Sequence, residues 1–364
     1  DHYSRTLTVL GALFVRQQRI MPADTQKAFQ PYASEPKEYH LPIVAELPNK
    51  VKERRSEINA IKELQDILQL VESKPLKVSD KTSMPSNATI ELINKTLTGS
   101  DYYDGITVEY NEIGNIRGIG WIFLLQAGKL IKKNGSTVVI TAKGKKALKQ
   151  PPEEILKGLW ESWIKTKLLD EFKRIDNIKG QASKGAKRNF TNPVSRREEI
   201  DLSLKELPVG TWVAIDDFLD FMLINNFTFD LLNDDTSALY LVNKEYGNFH
   251  GYSSTWEVLE APYLLCVLFE YAATLGIIDI GFESPVGKRL DSYDIWGIES
   301  LAFISRYDGL SYIKITALGE YILGLSSDFK VILPDVKVEV SKSGIVAVDA
   351  VIMPLPLKEV LDIF

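Results

Sequence analysis

The sequence is poor in the residues that most often build metal sites and covalent active sites. It contains one cysteine and three histidines among 364 residues. A single cysteine excludes an internal disulfide framework and a cysteine-based zinc cluster, and the histidines lie far apart along the chain. Cys266 stands within an apolar run, which predicts a buried small side chain rather than a reactive thiol.

Catalytic sequence motifs are also missing. The chain has no P-loop, no G-x-S-x-G and no H-E-x-x-H pattern. Asp216, Asp217 and Asp220 open a predicted helix, where the helix macrodipole favours negative charge, and no lysine or histidine joins them in a nuclease-like pattern. We therefore expect a protein that is not an enzyme and that uses no cofactor or metal.

Long hydrophobic runs are scarce. The apolar stretch 7–15 has no basic leader and no small-residue cleavage site, which argues against a signal peptide. The stretch 261–278 contains Glu270 and predicts a buried helix rather than a membrane span. Together with the low cysteine content, these features predict a cytoplasmic protein with no membrane partner.

Charge is distributed unevenly between the two halves of the chain. Residues 1–200 hold 33 Lys and Arg against 24 Asp and Glu, whereas residues 201–364 hold 10 against 25, so the net charges are +9 and −15. Such asymmetry predicts a polyanionic partner for the first half. Attraction between the two halves is the alternative explanation.

Two basic clusters account for most of the positive charge. Seven lysines and no acidic residue occur between positions 129 and 149, and eight basic residues face one aspartate between 173 and 197. Because phosphates attract such clusters, we predict that both contact nucleic acid. The alternatives are a solvated lysine face for the first cluster and an acidic protein surface for the second. The predicted nucleic-acid-binding residues are Lys129, Lys132, Lys133, Lys143, Lys145, Lys146, Lys149, Lys179, Lys184, Lys187, Arg188, Arg196 and Arg197.

One short phrase occurs twice. The pattern I-T-A-x-G-x-x-x-L spans 140–148 and again 315–323, and each copy follows an apolar helical stretch that ends near Gly128 or Gly276. Between stretch and phrase the first copy has an Asn-Gly turn followed by β-branched residues, which predicts a hairpin. Both copies thus predict a helix, a strand, a returning strand and a closing helix, with Thr141 as N-cap of the first closing helix.

Composition changes divide the chain into five regions. We predict an N-terminal arm and helical region (1–100), a first domain (101–172), a basic linker (173–194), a second domain with a long insertion at 281–310 (195–328), and a C-terminal β-hairpin extension (329–364). The fold class is α+β and mainly helical. A Ser195-to-Glu198 capping box is expected to start the second domain, and Trp160 and Trp163 are expected in the core. Within 1–100, a helix-turn-helix pair places Lys77 and Lys81 near its turn and serves either DNA reading or packing.

The paired phrases resemble winged-helix modules of bacterial helicase-associated proteins and of MarR-like regulators. Residues 120–149 match that pattern closely, and residues 264–280 with 311–324 match it around the insertion. The stretches 160–181 and 307–310 are similar to uncharacterised bacterial proteins of this kind. The resemblance implies two winged-helix domains and a DNA-linked accessory role in genome or antiviral defence.

These observations lead to one principal functional hypothesis. The chain is expected to be a non-enzymatic accessory subunit whose basic first half contacts nucleic acid, preferentially DNA and without sequence preference, while its acidic second half binds a protein such as a helicase or nuclease subunit. Sequence-indifferent binding is expected because the helix before each hairpin is almost wholly apolar, whereas a major-groove helix presents polar side chains. The alternatives are a protein–protein scaffold without nucleic-acid contact and a winged-helix transcriptional regulator.

Overall fold

The structure is a computed structural model that describes residues 41–104, 107–108, 111–233, 238–241, 256–288, 301–329, 337–340 and 346–349. By its contacts the chain divides into the units 1–40 and 41–364, and every described residue belongs to the second. Most of the predicted N-terminal arm therefore lies outside the described residues. The described part is mixed α+β, which confirms the predicted fold class at that level.

Helices dominate the described chain, and its sheets are small and antiparallel. The α-helices are α1 (Glu57–Ser73), α2 (Asn87–Thr96), α3 (Arg117–Ala127), α4 (Ala142–Ala147), α5 (Pro152–Lys165), α6 (Lys184–Asn189), α7 (Pro193–Lys205), α8 (Ile215–Ile224), α9 (Ala261–Cys266) and α10 (Ala317–Ile322). The strands are β1 (Lys52–Arg54), β2 (Leu76–Lys77), β3 (Thr107–Val108), β4 (Asn111–Glu112), β5 (Ile131–Asn134), β6 (Thr137–Ile140), β7 (Ile178–Lys179), β8 (Val213–Ala214), β9 (Tyr240–Leu241), β10 (Ile278–Phe282), β11 (Leu310–Ile315), β12 (Lys337–Val340) and β13 (Val346–Asp349). A 3₁₀ turn forms at Glu171–Arg174, and π-helical turns at Trp256–Glu260 and Val267–Ala272 extend α9 on both sides.

Hydrophobic periodicity explains which helices lie inside. On α1 the apolar residues recur every three or four positions, so one stripe, including Leu64 and Ile67, is buried while the opposite face is solvated. Helix α3 is apolar on nearly all sides and is buried from Arg117 to Leu125. The helical segment around α9 is enclosed in the same way. These two buried helices are the centres around which the remaining elements pack.

The same order of elements occurs twice. Apart from the two-residue strands β3, β4 and β9 and the π-helical turns, the order in the first repeat (residues 57–149) is α1, β2, α2, α3, β5, β6, α4, and in the second repeat (residues 193–323) it is α7, β8, α8, α9, β10, β11, α10. In each repeat the early strand pairs with the returning strand: β2 with β6 and β8 with β11. The boundary predicted at residue 100 lies inside the first repeat, because strand pairing joins Leu76 to Val138.

The duplicated I-T-A-x-G phrase has one structural cause. Thr141 and Thr316 cap α4 and α10 by accepting hydrogen bonds from the Gly144 and Gly319 amides, at 3.0 and 2.8 Å. A Cβ atom at these two glycines would lie 2.2 and 2.0 Å from the carbonyl oxygens of Leu130 and Ile277, so only glycine fits. The N-cap predicted at Thr141 is confirmed, and the phrase marks a closing helix pressed against the start of a hairpin.

The two hairpins differ in their connections. Strands β5 and β6 are joined by the two-residue turn Gly135-Ser136, with Asn134 paired to Thr137. Strands β10 and β11 are joined by residues 283–309, and the connection closes where the Glu283 amide donates to the Gly309 carbonyl at 2.9 Å. The predicted insertion in the second hairpin is thus observed, and its residues 289–300 lie outside the described residues.

Three further predictions about local structure can be compared with the fold. Trp160 and Trp163 are buried in the core, as expected. The predicted capping box is wrong: α7 begins at Pro193, and the Asn192 side chain accepts from the Val194 amide, so Ser195 already lies inside the helix. At the C-terminal end, β12 and β13 pair antiparallel as the predicted hairpin requires.

Within the described ranges, no helix has the length and apolar character needed to cross a membrane.

Candidate nucleic-acid interface

The first basic cluster lies on the hairpin β5–β6 and on α4 of the first repeat. We call its seven residues the lysine surface: Lys129, Lys132, Lys133, Lys143, Lys145, Lys146 and Lys149. Six of them are exposed, and Lys133 is half-buried. The structure therefore brings together on one repeat the lysines that the sequence placed within 21 positions.

The outward face of the three-stranded sheet continues the lysine surface. Lys77 on β2 pairs with Thr137 on β6, and Lys132 on β5 pairs with Val139 on β6. Paired residues point to the same side of a sheet, and Leu76 and Val138 point to the core side. Lys77 and Lys132 consequently share the exposed face across β6.

Only part of the lysine surface is neutralised by neighbouring carboxylates. Lys133 approaches Asp80 at 2.9 Å and Lys145 approaches Glu72 at 3.4 Å, and both acids are exposed. Exposed pairs of this kind contribute about 0–1 kcal/mol and yield readily to a stronger anion. Within the described part of the chain, the lysine surface forms no ion pair with the acidic second half.

The helix that precedes the hairpin offers nothing to a base edge. Its residues 117–125 are buried, and Arg117 lies inside with Glu63, at 1% and 2% exposure. Aromatic side chains follow the same rule: every Phe, Trp and Tyr whose burial is described between 41 and 172 is buried. Base reading by the buried part of α3 and stacking on a described aromatic side chain are therefore not available in the first repeat.

Arg196 and Arg197, which the sequence assigned to nucleic acid, lie inside the protein at 1% and 0% exposure. Arg196 makes two 2.9 Å hydrogen bonds to Asp170, and Arg197 donates to Glu171 at 2.6 and 3.0 Å. Glu171 is itself fully buried and also accepts from Tyr263. The prediction of surface contacts for these two arginines is corrected, because their charges are neutralised inside the fold.

The acidic partners of the arginines belong to one segment, 170–176, which also contains the basic residues Lys173 and Arg174. Within it Arg174 pairs with Glu270 at 2.9 Å and Asp176 pairs with Arg306. Arg174 and Arg306 both also donate to the Asn115 carbonyl, which precedes α3. This segment therefore ties the first repeat to the helical core of the second.

The electrostatics of this junction keep its buried arginines charged. Burial alone would lower the pKa of the Arg197 guanidinium, but the facing Glu171 carboxylate reverses that effect and holds the pKa above its ordinary value. The pKa of Arg174 is raised in the same way, against burial, by Glu270. Burial raises the pKa of the Cys266 thiol, so this side chain is a packed thiol, as its apolar surroundings predicted.

Four lysines of the second basic cluster are on the surface. Lys173, Lys179, Lys184 and Lys187 are exposed, and the side chain of Arg188 lies outside the described residues. Lys179 folds back to donate to the Asp176 carbonyl at 2.8 Å. The segment 173–194, predicted as a linker, includes the end of the 3₁₀ turn, β7 and α6, and its Ile175 and Ile178 lie in the core.

Three exposed lysines were not in the predicted binding set. Lys74, Lys77 and Lys81 lie on or beside β2. The sequence placed Lys77 and Lys81 at the turn of a separate helix-turn-helix, whereas strand pairing places Lys77 against the hairpin. Ser86 there caps α2 through the Thr89 amide at 3.3 Å. The missing signal was the pairing of β2 with β6, which local sequence does not carry.

A polar cleft is the other candidate site among the described residues. It has a volume of about 210 Å³ and its charged lining includes Lys50, Glu283, Lys288 and Asp308. Glu283 pairs with Lys50 at 3.4 Å and with Lys288 at 2.5 Å, while Asp308 accepts from the backbone amides of its own turn. The Glu283 carboxylate is thus paired with the two lysines, and the Asp308 carboxylate binds the backbone of its own turn. Among the described residues, no group of three or more His, Cys, Asp or Glu side chains could hold a metal ion.

Comparison with known proteins gives no relative: no family model, no curated protein and no solved structure matches this chain.

Proposed function

We propose that this protein is a non-enzymatic accessory protein that binds the phosphate backbone of double-stranded nucleic acid through the lysine surface of its first repeat. The observation that supports the proposal most strongly is the combination, on one repeat, of six exposed lysines with an α3 that is buried from Arg117 to Leu125. Such a surface attracts phosphates by counterion release, and the buried part of α3 presents no side chain to base edges. Binding is therefore expected to be indifferent to sequence.

The same features favour a duplex over a single strand. Proteins that bind single strands stack bases on aromatic side chains, each contributing about 1–3 kcal/mol. The described aromatic side chains between 41 and 172 are buried, so the described part of the first repeat lacks this contribution. A surface that acts by charge alone binds the polymer of higher charge density more tightly, and duplex DNA carries about one charge per 1.7 Å of helix axis.

The proposal includes two winged-helix domains. The element order of each repeat, and the pairing of its early strand with its returning strand, are those expected of a winged helix. In that description the hairpin β5–β6 is the first wing and carries Lys132 and Lys133 beside its tip. A wing that follows the phosphate backbone would place the lysine surface at the nucleic acid while α3 stays in the core.

A protein partner is proposed for the second repeat. Helix α8 exposes Asp216 and Asp220 near its start and Ile224 at its end, where Ile224 is 59% exposed. Leu202, Val209 and Leu325 add exposed apolar side chains in or beside the same repeat. Exposed apolar residues among acids suit a protein surface and not a phosphate chain. This favours an accessory subunit, and a scaffold without nucleic acid is the second candidate.

The test is a charge reversal with a matched control. The test variant changes Lys132, Lys146 and Lys149 to Glu, since each is exposed and forms no ion pair within the described part of the chain. The control variant changes Lys52, Lys165 and Lys167 to Glu, which alters the net charge equally outside the lysine surface. Binding is measured by fluorescence anisotropy with a labelled DNA duplex of about 20 base pairs, or two helical turns.

We expect the test variant to bind at least about tenfold more weakly, with a salt dependence reduced by about three phosphate contacts. The control is expected to change binding by less than about threefold, because distant charges are screened beyond ~8–10 Å. Equal weakening in both variants would indicate a general charge effect. No duplex binding by the unmodified chain, together with a stoichiometric protein partner, would favour the scaffold.

A further inference from the structure

The turn that leads from the buried helix into the hairpin can be compared directly between the two repeats. Thr141 Oγ1 donates to the Lys129 carbonyl at 2.8 Å, and Thr316 Oγ1 donates to the Gly276 carbonyl at 2.6 Å. The next residues also correspond, because the Thr141 and Thr316 amides donate to the Leu130 and Ile277 carbonyls. Lys129 is therefore the structural equivalent of Gly276, which corrects the alignment of Gly128 with Gly276 suggested by sequence.

Both residues adopt a left-handed backbone, with φ of 60° at Lys129 and 73° at Gly276. Glycine is the usual residue at this position after a helix, since a side chain makes the left-handed conformation unfavourable. At Gly276 packing adds a second reason, because a Cβ atom would lie 2.9 Å from Ala60 Cβ and 3.1 Å from Glu57 Cα. The first repeat instead keeps a lysine here, and its side chain is exposed.

Local stability does not explain this lysine. A cation near a helix C-terminus can stabilise the last carbonyls, but Lys143 already donates to the Gly128 carbonyl at 2.8 Å. The Lys129 ammonium group forms no ion pair or hydrogen bond within the described part of the chain. A glycine would relieve the backbone and leave these contacts of α3 intact.

We propose that Lys129 is a phosphate-contacting residue, held in an unfavourable backbone conformation because its charge is needed for binding. The inference rests on the proposed function and singles out, within the lysine surface, the residue at the base of the wing as one whose backbone conformation is kept for its charge. Lys129 lies where the end of α3, the start of β5 and the N-cap of α4 meet, so it extends the lysine surface from the wing to the body of the repeat. Strained backbone conformations are concentrated at functional sites, where the role of the side chain outweighs the conformational cost.

Three variants of the full chain test the proposal. Lys129→Gly removes the charge and the strain, and Lys129→Arg keeps the charge. Asn226→Gly is the matched control, because Asn226 is another exposed residue with positive φ, at 62°, and follows α8. Each variant is assayed for its urea midpoint and for its affinity to the labelled duplex across a salt series.

We expect Lys129→Gly and Asn226→Gly both to raise the urea midpoint. Only Lys129→Gly should weaken duplex binding, by about two- to fivefold, and reduce the magnitude of the salt slope by about one, as for one lost phosphate contact. Lys129→Arg should bind as the unmodified chain does. If Lys129→Gly fails to fold, Lys129→Asn, which tolerates the left-handed region, replaces it.

Two results would overturn the inference. One is a lower urea midpoint for Lys129→Gly, which would show that the lysine serves the fold. The other is unchanged duplex binding by Lys129→Gly while reversal of Lys132, Lys146 and Lys149 weakens it, which would leave the proposed function standing. If none of these variants changes binding, the proposed function itself fails.

Discussion

The two repeats share one backbone plan and differ in where they place charge. Each closes its hairpin with a threonine-capped helix whose glycine touches a backbone carbonyl. Both repeats bury arginines against carboxylates, Arg117 in the first and Arg196 and Arg197 in the second, but the first repeat also carries the exposed lysines of the lysine surface. The comparison teaches that a few contacts fix this plan, while the surface and the loop lengths are free to take on separate roles.

Hairpin length shows the same freedom. A two-residue turn closes the first hairpin, and residues 283–309 connect the strands of the second. The strands themselves remain in equivalent places, since Ile131 pairs with Ile140 and Ile278 pairs with Ile315. In our account the short hairpin serves as a wing for phosphate, and the second repeat serves a protein partner.

The largest expected effect is the difference in stability lost on removing a buried charge and on removing an exposed one. Arg197→Met leaves the fully buried Glu171 carboxylate without its cation and should destabilise the protein by about 3–5 kcal/mol. Lys146→Met on α4 should change the free energy of unfolding by less than about 0.5 kcal/mol, because its side chain is exposed. Urea unfolding of both variants measures the difference. Similar losses would contradict the division between buried and exposed charge.

The next prediction exchanges the residue at the left-handed turn. Gly276→Lys should destabilise the protein by about 2–4 kcal/mol, from the conformational cost of positive φ together with overpacking. The added Cβ would approach Ala60 and Leu318, at 2.9 and 3.1 Å. Urea unfolding of Gly276→Lys and of Lys129→Gly compares the stability effects of the two opposite exchanges. A Gly276→Lys variant as stable as the unmodified chain would show that the two turns are not equivalent.

The smallest predicted effect compares the two helix caps. Thr141→Val should cost about 1 kcal/mol, as is usual for loss of an N-cap. Thr316→Val should cost more, about 2 kcal/mol, because Thr316 is 4% exposed whereas Thr141 is half-buried, so water has less access to replace the lost acceptor of the Gly319 amide. Thermal or urea unfolding of the two variants measures which of them loses more stability. The reverse order would mean that burial does not distinguish the caps.

Much of this fold could be predicted from local patterns. The repeated phrase located both closing helices, because its threonine and glycine each make a local contact that recurs wherever the phrase occurs. Apolar periodicity located α1 and the buried tryptophans for the same reason. Features that depend on residues near in sequence were therefore accessible.

Features that depend on residues far apart in the sequence could not be predicted. The pairing of Leu76 with Val138 joins segments that no local pattern connects, so β2 and Lys77 were assigned to a separate motif. Arg196 and Arg197 looked like surface charge because composition does not report burial. Two consecutive acids, Asp170 and Glu171, stand 26 positions before them and match them pair for pair, which is the one signal that could have revealed their partners.

The salt dependence of duplex binding by the unmodified chain tests the central claim most directly. If the lysine surface contacts phosphates without reading bases, two duplexes of unrelated sequence should bind equally. The logarithm of the binding constant should then fall against the logarithm of salt concentration with a slope of about −4 to −6, corresponding to roughly four to seven phosphate contacts. A slope near zero, or binding to one duplex alone, would contradict the account.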